Sequence, residues 1–150
     1  MLFGAAFEGS AQSIEKWLLP DPDEMIMASN SLCADQAKSA LLAWHYKSQG
    51  RSKEDVIALI PEAPKALLLR VVSAMRENVE DAYQYSELSQ YAYYSFRSEV
   101  CMREVLGAVR MPRMATVYPR IVECQKAHGI EKSASLFKCV QAVVRSVELK

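Results

Sequence analysis

The feature that most constrains the fold is the position of two cysteines on either side of one helix break. Cys124 and Cys139 stand at comparable distances from a break at residues 129–133, each on the apolar side of a segment with helical spacing. If Ser133 is the N-cap of the later helix, a rise of about 1.5 Å per residue places both thiols at similar heights. The sequence therefore predicts two antiparallel helices joined by a disulfide.

The other two cysteines, Cys33 and Cys101, form the remaining pair, and their bridge would close a much longer loop. Four cysteines allow three connectivities, so this pairing is a preference and not a deduction. Two alternatives stay open. All four thiols could be reduced core residues, because free cysteine is among the most buried residue types. Cys124 and His128, spaced i, i+4, could instead bind zinc together with Cys139.

Helical spacing of apolar residues recurs along almost the whole chain, and no apolar/polar alternation is long enough for a strand. The composition, 51% hydrophobic and 24% charged, is that of a globular protein and excludes a disordered one. We therefore expect an all-α, single-domain helical bundle over residues 1–150, with about six to seven helices and one or two disulfides.

Prolines, glycines and capping residues indicate where these helices begin and end. Predicted helices cover residues 10–19, 23–30, 32–49, 52–60, 68–79 and 82–110, followed by the pair around the break at 129–133. Gly50 provides a left-handed residue after the third of them, and Ser52 begins a capping box with Asp55. The segment 82–110 is the longest and carries a wide apolar arc, which predicts a central helix that ends or kinks at Pro112.

Charge and hydropathy limit the possible partners. Eighteen basic and eighteen acidic residues cancel, so attraction to nucleic acid or to an anionic membrane would have to be local. No run approaches the 18 or so uncharged apolar residues that a membrane span needs. Residues 2–6 are compatible both with a native start and with the remainder of a secretory signal peptide.

Motifs for chemistry are absent from the sequence. The five glycines form no phosphate-binding loop, and the signatures of zinc proteases, nucleophile-elbow hydrolases and di-iron bundles do not occur. His45 lies at the margin of a core stripe and His128 at a helix C-terminus, where structural roles explain them. Glu77, Glu80 and Asp81 could pair for catalysis or bind a cation, but a solvated turn between helices also explains them. We expect no catalytic residue, metal or cofactor.

Two sets of residues are candidates for an interaction surface. Four arginines recur around Pro112 and could line one side of a helix pair: Arg103, Arg110, Arg113 and Arg120. Because glutamates are interspersed with them, a mixed solvated face is favoured over a nucleic-acid track. The aromatic residues between positions 83 and 96 are too numerous for all to face one core, and exposed tyrosine is enriched at protein interfaces. The candidate interface tyrosines are Tyr83, Tyr85 and Tyr93.

Two parts of the chain resemble known protein groups. The first pattern comprises Cys33-x-x-x-Ala, Trp44, Gly50-Arg-Ser, residues 67–75 and Tyr91-Ala-Tyr-Tyr before Cys101. It is similar to a pattern in small helical envelope proteins of Gram-negative bacteria. The closing Leu136-Phe-Lys-Cys-Val resembles helical, disulfide-containing immunity proteins that block type VI secretion effectors in the periplasm. The resemblance implies a periplasmic location and transfers no functional residue.

These observations favour a non-catalytic periplasmic protein that binds another protein, as an immunity- or inhibitor-like protein or as an envelope accessory protein. A homodimer is compatible with the same features. The alternative is a cytosolic regulator in which residues 52–76 form a helix-turn-helix and the arginines contact phosphates of DNA. A third hypothesis is an enzyme with a site near His128 and the cysteines.

Overall fold

The structure is a computed structural model that describes residues 22–62, 66–108 and 110–147. Within these residues it contains six helices and no strand, so the predicted all-α class is confirmed. The helices are α1 (Pro22–Ser48), α2 (Lys53–Ala58), α3 (Ala66–Gln84), α4 (Gln90–Val105), α5 (Met114–His128) and α6 (Ala134–Arg145). The helix predicted at residues 10–19 lies outside the described residues.

The first described helix, α1, is continuous over 27 residues, so the break predicted near residues 30–31 is wrong. Asparagine and serine inside a helix cost only a fraction of a kcal/mol each, and tertiary packing overrides so small a preference. The apolar stripe of α1 contains Cys33, Ala37 and Ala40, which are all buried, and α1 packs against α3 and α4. Gly50, with φ 79°, ends the turn after the helix as predicted.

The segment predicted as one helix over residues 82–110 is divided between α3 and α4. Side chains distant in sequence bind the backbone of the intervening turn. The Trp44 indole Nε1 donates to the Leu88 carbonyl at 3.1 Å, and the Ser89 amide donates to Oε1 of Gln125 at 2.6 Å. Because these partners satisfy backbone groups that a helix would otherwise pair, the chain turns here without glycine or proline.

As predicted, α4 occupies the centre of the fold, since it packs against both α1 and α6. Its residues Ala92, Phe96 and Val100 are buried in the main core. The helix ends at Val105 and not at Pro112. The reason lies in Gly107, which adopts a φ of 91°, a left-handed conformation that favours glycine and terminates helices.

The last two helices form the predicted antiparallel hairpin. Gly129, with φ 83°, ends α5, and the Ser133 side chain accepts a hydrogen bond from the Leu136 amide at the start of α6. Cys124 and Cys139 are joined across the hairpin with their Cα atoms 5.8 Å apart. The capping role of Ser133 and the antiparallel arrangement are therefore confirmed.

The second disulfide joins Cys33 of α1 to Cys101 of α4, with a Cα–Cα distance of 5.4 Å. The pairing is the one that the sequence favours, and no described cysteine is free. The alternatives of reduced core cysteines and of a zinc site with His128 are wrong, because each sulfur is bonded to another sulfur. For the same reason no cysteine is available here as a catalytic nucleophile.

Candidate functional site

A groove of about 550 Å³ opens where α1, α4 and the start of α6 meet. Its two tyrosines, Leu41 and Phe137 are half-buried and Leu136 is buried, whereas its two lysines are exposed. The larger side chains that line it are Lys38, Leu41, Tyr91, Tyr94, Lys132, Leu136 and Phe137. We call this surface the tyrosine groove. Its size lies within the range of known ligand pockets, and apolar walls with few polar groups are typical of them.

Both disulfides anchor helices that form the tyrosine groove. The bond between Cys33 and Cys101 joins α1 to α4, and Tyr94 lies seven residues, or about 10 Å of helix, before Cys101. In α6, Phe137 lies two residues before Cys139, the cysteine bonded to α5. Each of the helices that form the groove is therefore cross-linked to a neighbour.

Tyr93 is fully buried, with 0% exposure, so its predicted place on an interaction surface is wrong. Its ring packs against Trp44, with 4.7 Å between centroids. Its hydroxyl donates to Asp81 Oδ2 at 2.6 Å. Tyr93 can be buried because Asp81 of α3 accepts a hydrogen bond from its hydroxyl.

The other two candidate tyrosines are half-buried and contact residues outside the groove. The Tyr83 hydroxyl donates to the Arg51 carbonyl at 2.5 Å, and the Tyr85 ring packs against Tyr118 at 4.9 Å. The groove instead contains Tyr91 and Tyr94, which were not among the predicted interface tyrosines. Their i, i+3 spacing, which places both on one face of α4, was the signal that could have found them.

A buried polar cluster joins α1, α3 and α4. Asn78, with 0% exposure, donates to Ser39 Oγ at 2.6 Å, and its Oδ1 accepts hydrogen bonds from Arg97 and Tyr93. Burial raises the pKa of Asp81 above its usual value, although the Tyr93 hydroxyl and the Arg97 charge oppose this shift. Burial likewise raises the pKa of Tyr93. Within the described residues no buried side-chain nitrogen or oxygen lacks a hydrogen-bond partner.

The acidic residues expected in an interhelical turn lie inside α3. Glu77 pairs with Arg97 at 2.9 Å, while Asp81 accepts the Tyr93 hydroxyl. These acids line a second cavity of about 580 Å³, together with Glu104 and Arg113. In the described part of the chain, no group of three or more histidine, cysteine or carboxylate side chains is arranged to hold a metal.

The candidate arginines are divided between two parts of the fold. Arg103 donates to the Val144 carbonyl at 3.0 Å, and Arg120 to Ser146 Oγ at 2.8 Å, so both bind the C-terminal end of α6. Positive charge is favourable at this end of a helix. Arg113 lines the acidic cavity, and Arg110 is exposed. Arg103 and Arg120 are thus bonded within the fold, which weakens the case for a continuous phosphate-binding face.

No protein-family model matches the chain, and neither does any curated protein or any solved structure. Over residues 22–62, 66–108 and 110–147, no helix is both long and apolar enough to cross a membrane. The geometry of the tyrosine groove therefore carries the functional inference.

Proposed function

We propose that this chain is a non-catalytic helical protein of an oxidising compartment, the periplasm, and that it binds another protein through the tyrosine groove. The observation that carries the proposal is that both disulfides anchor helices of that groove. Disulfides persist in oxidising compartments and are rare in the reducing cytosol. The same cross-links that favour this compartment thus hold the proposed binding surface.

The side chains of the groove support a protein partner. Tyr91, Tyr94 and Phe137 present large, half-buried rings, and aromatic residues are enriched at protein interfaces. Aromatic side chains also provide contact area at a low cost in conformational entropy. Since the cross-linked helices restrict movement of the walls, less entropy is lost when a partner is bound.

An immunity- or inhibitor-like protein and an envelope accessory protein both act by binding and need no catalytic group. Several of the groups considered for chemistry in the sequence have structural partners. The cysteines are bonded to each other, and Glu77 and Asp81 are bonded to Arg97 and Tyr93. These assignments support binding over catalysis as the role of the molecule.

A selection from a phage library of random 12-residue peptides tests the proposal. We expect peptides that bind the wild type and lose roughly 30-fold or more in affinity for Tyr94→Ala, because a central aromatic contact contributes about 2 kcal/mol or more. Tyr83→Ala is the matched control, since Tyr83 is also half-buried but lies outside the groove. Far-UV circular dichroism checks that each variant folds.

One outcome of the selection would contradict the proposal. If every enriched peptide binds wild type, Tyr94→Ala and Tyr83→Ala with the same affinity, the tyrosine groove is not the binding surface and the proposal is wrong.

A further inference from the structure

We infer that the disulfide between α5 and α6 is a modification site, at which a small thiol exchanges with the protein disulfide. The thiol attacks Sγ of Cys139, and opening of the bond releases residues 132–137, which form one wall of the tyrosine groove. The inference goes beyond the proposed function, because the reaction does not require a partner in the groove.

The four cysteines differ in their access to solvent. Cys33 and Cys101 are 1% and 3% exposed, so both cysteines of the bond between α1 and α4 lie in the interior. In the bond between α5 and α6, Cys124 is 2% exposed, whereas Cys139 is half-buried. Because the rate of thiol–disulfide exchange depends on access to the attacked sulfur, Cys139 is the cysteine that an external thiol reaches first.

Cys139 lies at the boundary between the buried and the exposed face of α6. Its neighbours at helical spacing on the buried side are Leu136 and Val143. On the other side they are Ser135 and Ala142, which are both exposed. Since these two exposed neighbours have small side chains, they leave room for a small thiol to approach Cys139 from the solvent.

The exchange step conserves atoms and electrons. The thiolate of the small thiol forms a bond to Sγ of Cys139, the bond between Cys139 and Cys124 breaks, and the electron pair leaves on Sγ of Cys124, which takes a proton from water. The product is a mixed disulfide on Cys139 and a buried thiol at Cys124. A second thiolate that attacks the sulfur of the bound small thiol releases Cys139, so the small thiol is oxidised to its disulfide and both cysteines are reduced. Without this second attack, Cys124 restores the original bond by the reverse reaction.

The segment closed by this disulfide contains one whole wall of the tyrosine groove. The lining residues that lie between Cys124 and Cys139 in the sequence are Lys132, Ser133, Ala134, Leu136 and Phe137. Gln125 bonds the Glu87 carbonyl and the Ser89 amide, so α5 remains attached to the turn between α3 and α4 when the disulfide opens. The segment between the two cysteines is therefore the part that gains freedom when the cross-link is lost.

Treatment of the folded wild type with excess reduced glutathione compares the two disulfides within one molecule. Samples are quenched with N-ethylmaleimide at intervals, digested and analysed by mass spectrometry. We expect the Cys124–Cys139 bond to open at least roughly ten-fold faster than the Cys33–Cys101 bond. The inference is overturned by equal rates, by faster opening of the Cys33–Cys101 bond, or by no opening of either bond in the folded protein while both open in urea.

Two matched variants test which sulfur is attacked. Cys124→Ser leaves Cys139 unpaired, Cys139→Ser leaves Cys124 unpaired, and both keep the bond between α1 and α4. With glutathione disulfide, we expect the adduct on Cys139 to form at least roughly ten-fold faster than the adduct on Cys124. Comparable rates, or a faster reaction at Cys124, overturn the inference. Far-UV circular dichroism checks that both variants fold, and the comparison within the wild type needs no substitution.

Hydrogen exchange tests the release of the groove wall. The double variant Cys124→Ala/Cys139→Ala lacks the bond, and its amides over residues 132–137 should exchange at least roughly three-fold faster than those of wild type. Residues 91–95 of α4, which line the opposite wall, are the internal control. Unchanged exchange over residues 132–137, or an equal increase over both segments, overturns the inference. Neither this measurement nor the glutathione experiments use a peptide ligand, so their outcome is independent of the test of the proposed function.

Discussion

The two disulfides should differ in their contribution to stability by an amount set by the loops that they close. The cysteines of the Cys33–Cys101 pair are 68 residues apart and those of the Cys124–Cys139 pair 15 residues apart. In the loop-entropy account these separations correspond to about 4.4 and about 3.0 kcal/mol at 25 °C. Replacing both cysteines of the first pair by alanine should therefore cost about 1.4 kcal/mol more than the same change in the second pair.

Urea unfolding of the two double variants measures this difference directly. With an m-value of about 2 kcal/mol/M, the midpoint for the variant without the Cys33–Cys101 bond should lie about 0.7 M lower. Addition of dithiothreitol is the internal control, since it breaks the remaining disulfide in each variant and should bring the midpoints together. The loop-length reasoning is refuted if, without reductant, the variant lacking the Cys124–Cys139 bond is equally or less stable.

Three further predictions concern local interactions. Burial raises the folded-state pKa of Asp81 above 3.8, so the contribution of this carboxyl to stability declines as pH rises through that raised value. In urea unfolding, the free energy of unfolding of Asp81→Asn should therefore increase relative to that of wild type between about pH 3 and pH 7. A difference between the two proteins that does not change with pH would contradict this. The buried Glu99 accepts two hydrogen bonds from Arg145. Arg145→Met should lower the free energy of unfolding by about 1–2 kcal/mol, a small value for a buried carboxylate because the Arg145 side chain is 62% exposed and its charge is screened by water. Adding Glu99→Gln should restore part of the lost stability. Ser133→Ala should lower stability in thermal unfolding by about 1 kcal/mol through loss of the α6 cap, whereas Ser86→Ala, at an exposed turn residue, should change it little.

Local sequence determined the parts of the fold that depend on local chemistry. Gly50 and Gly129 adopt the left-handed conformation that was predicted to end helices, and Ser133 caps α6. From that cap and the helical rise alone, the positions of Cys124 and Cys139 could be matched across the hairpin. Such features are predictable because each needs only a few neighbouring residues.

Features that depend on distant residues were not predictable in this way. The turn between α3 and α4 contains neither glycine nor proline, and it is held by Trp44 and Gln125, which lie 44 and 36 residues from their partners. Tyr93 was expected near the surface because nothing local shows that Asn78 and Asp81 would bind its hydroxyl in the core. The tyrosine groove combines three helices in the same way, so the sequence could place Tyr91 and Tyr94 on one face of α4 but could not show which residues of α1 and α6 lie beside them.

The central claim is that the fold is held by one disulfide between α1 and α4 and another between α5 and α6. Tryptic digestion of non-reduced protein from an oxidising compartment, alkylated before digestion and analysed by mass spectrometry, tests it most directly. The account predicts a cross-linked peptide pair of residues 121–126 with 139–145 and another of residues 17–38 with 98–103. Four alkylated thiols, or any other pairing of these peptides, would contradict it.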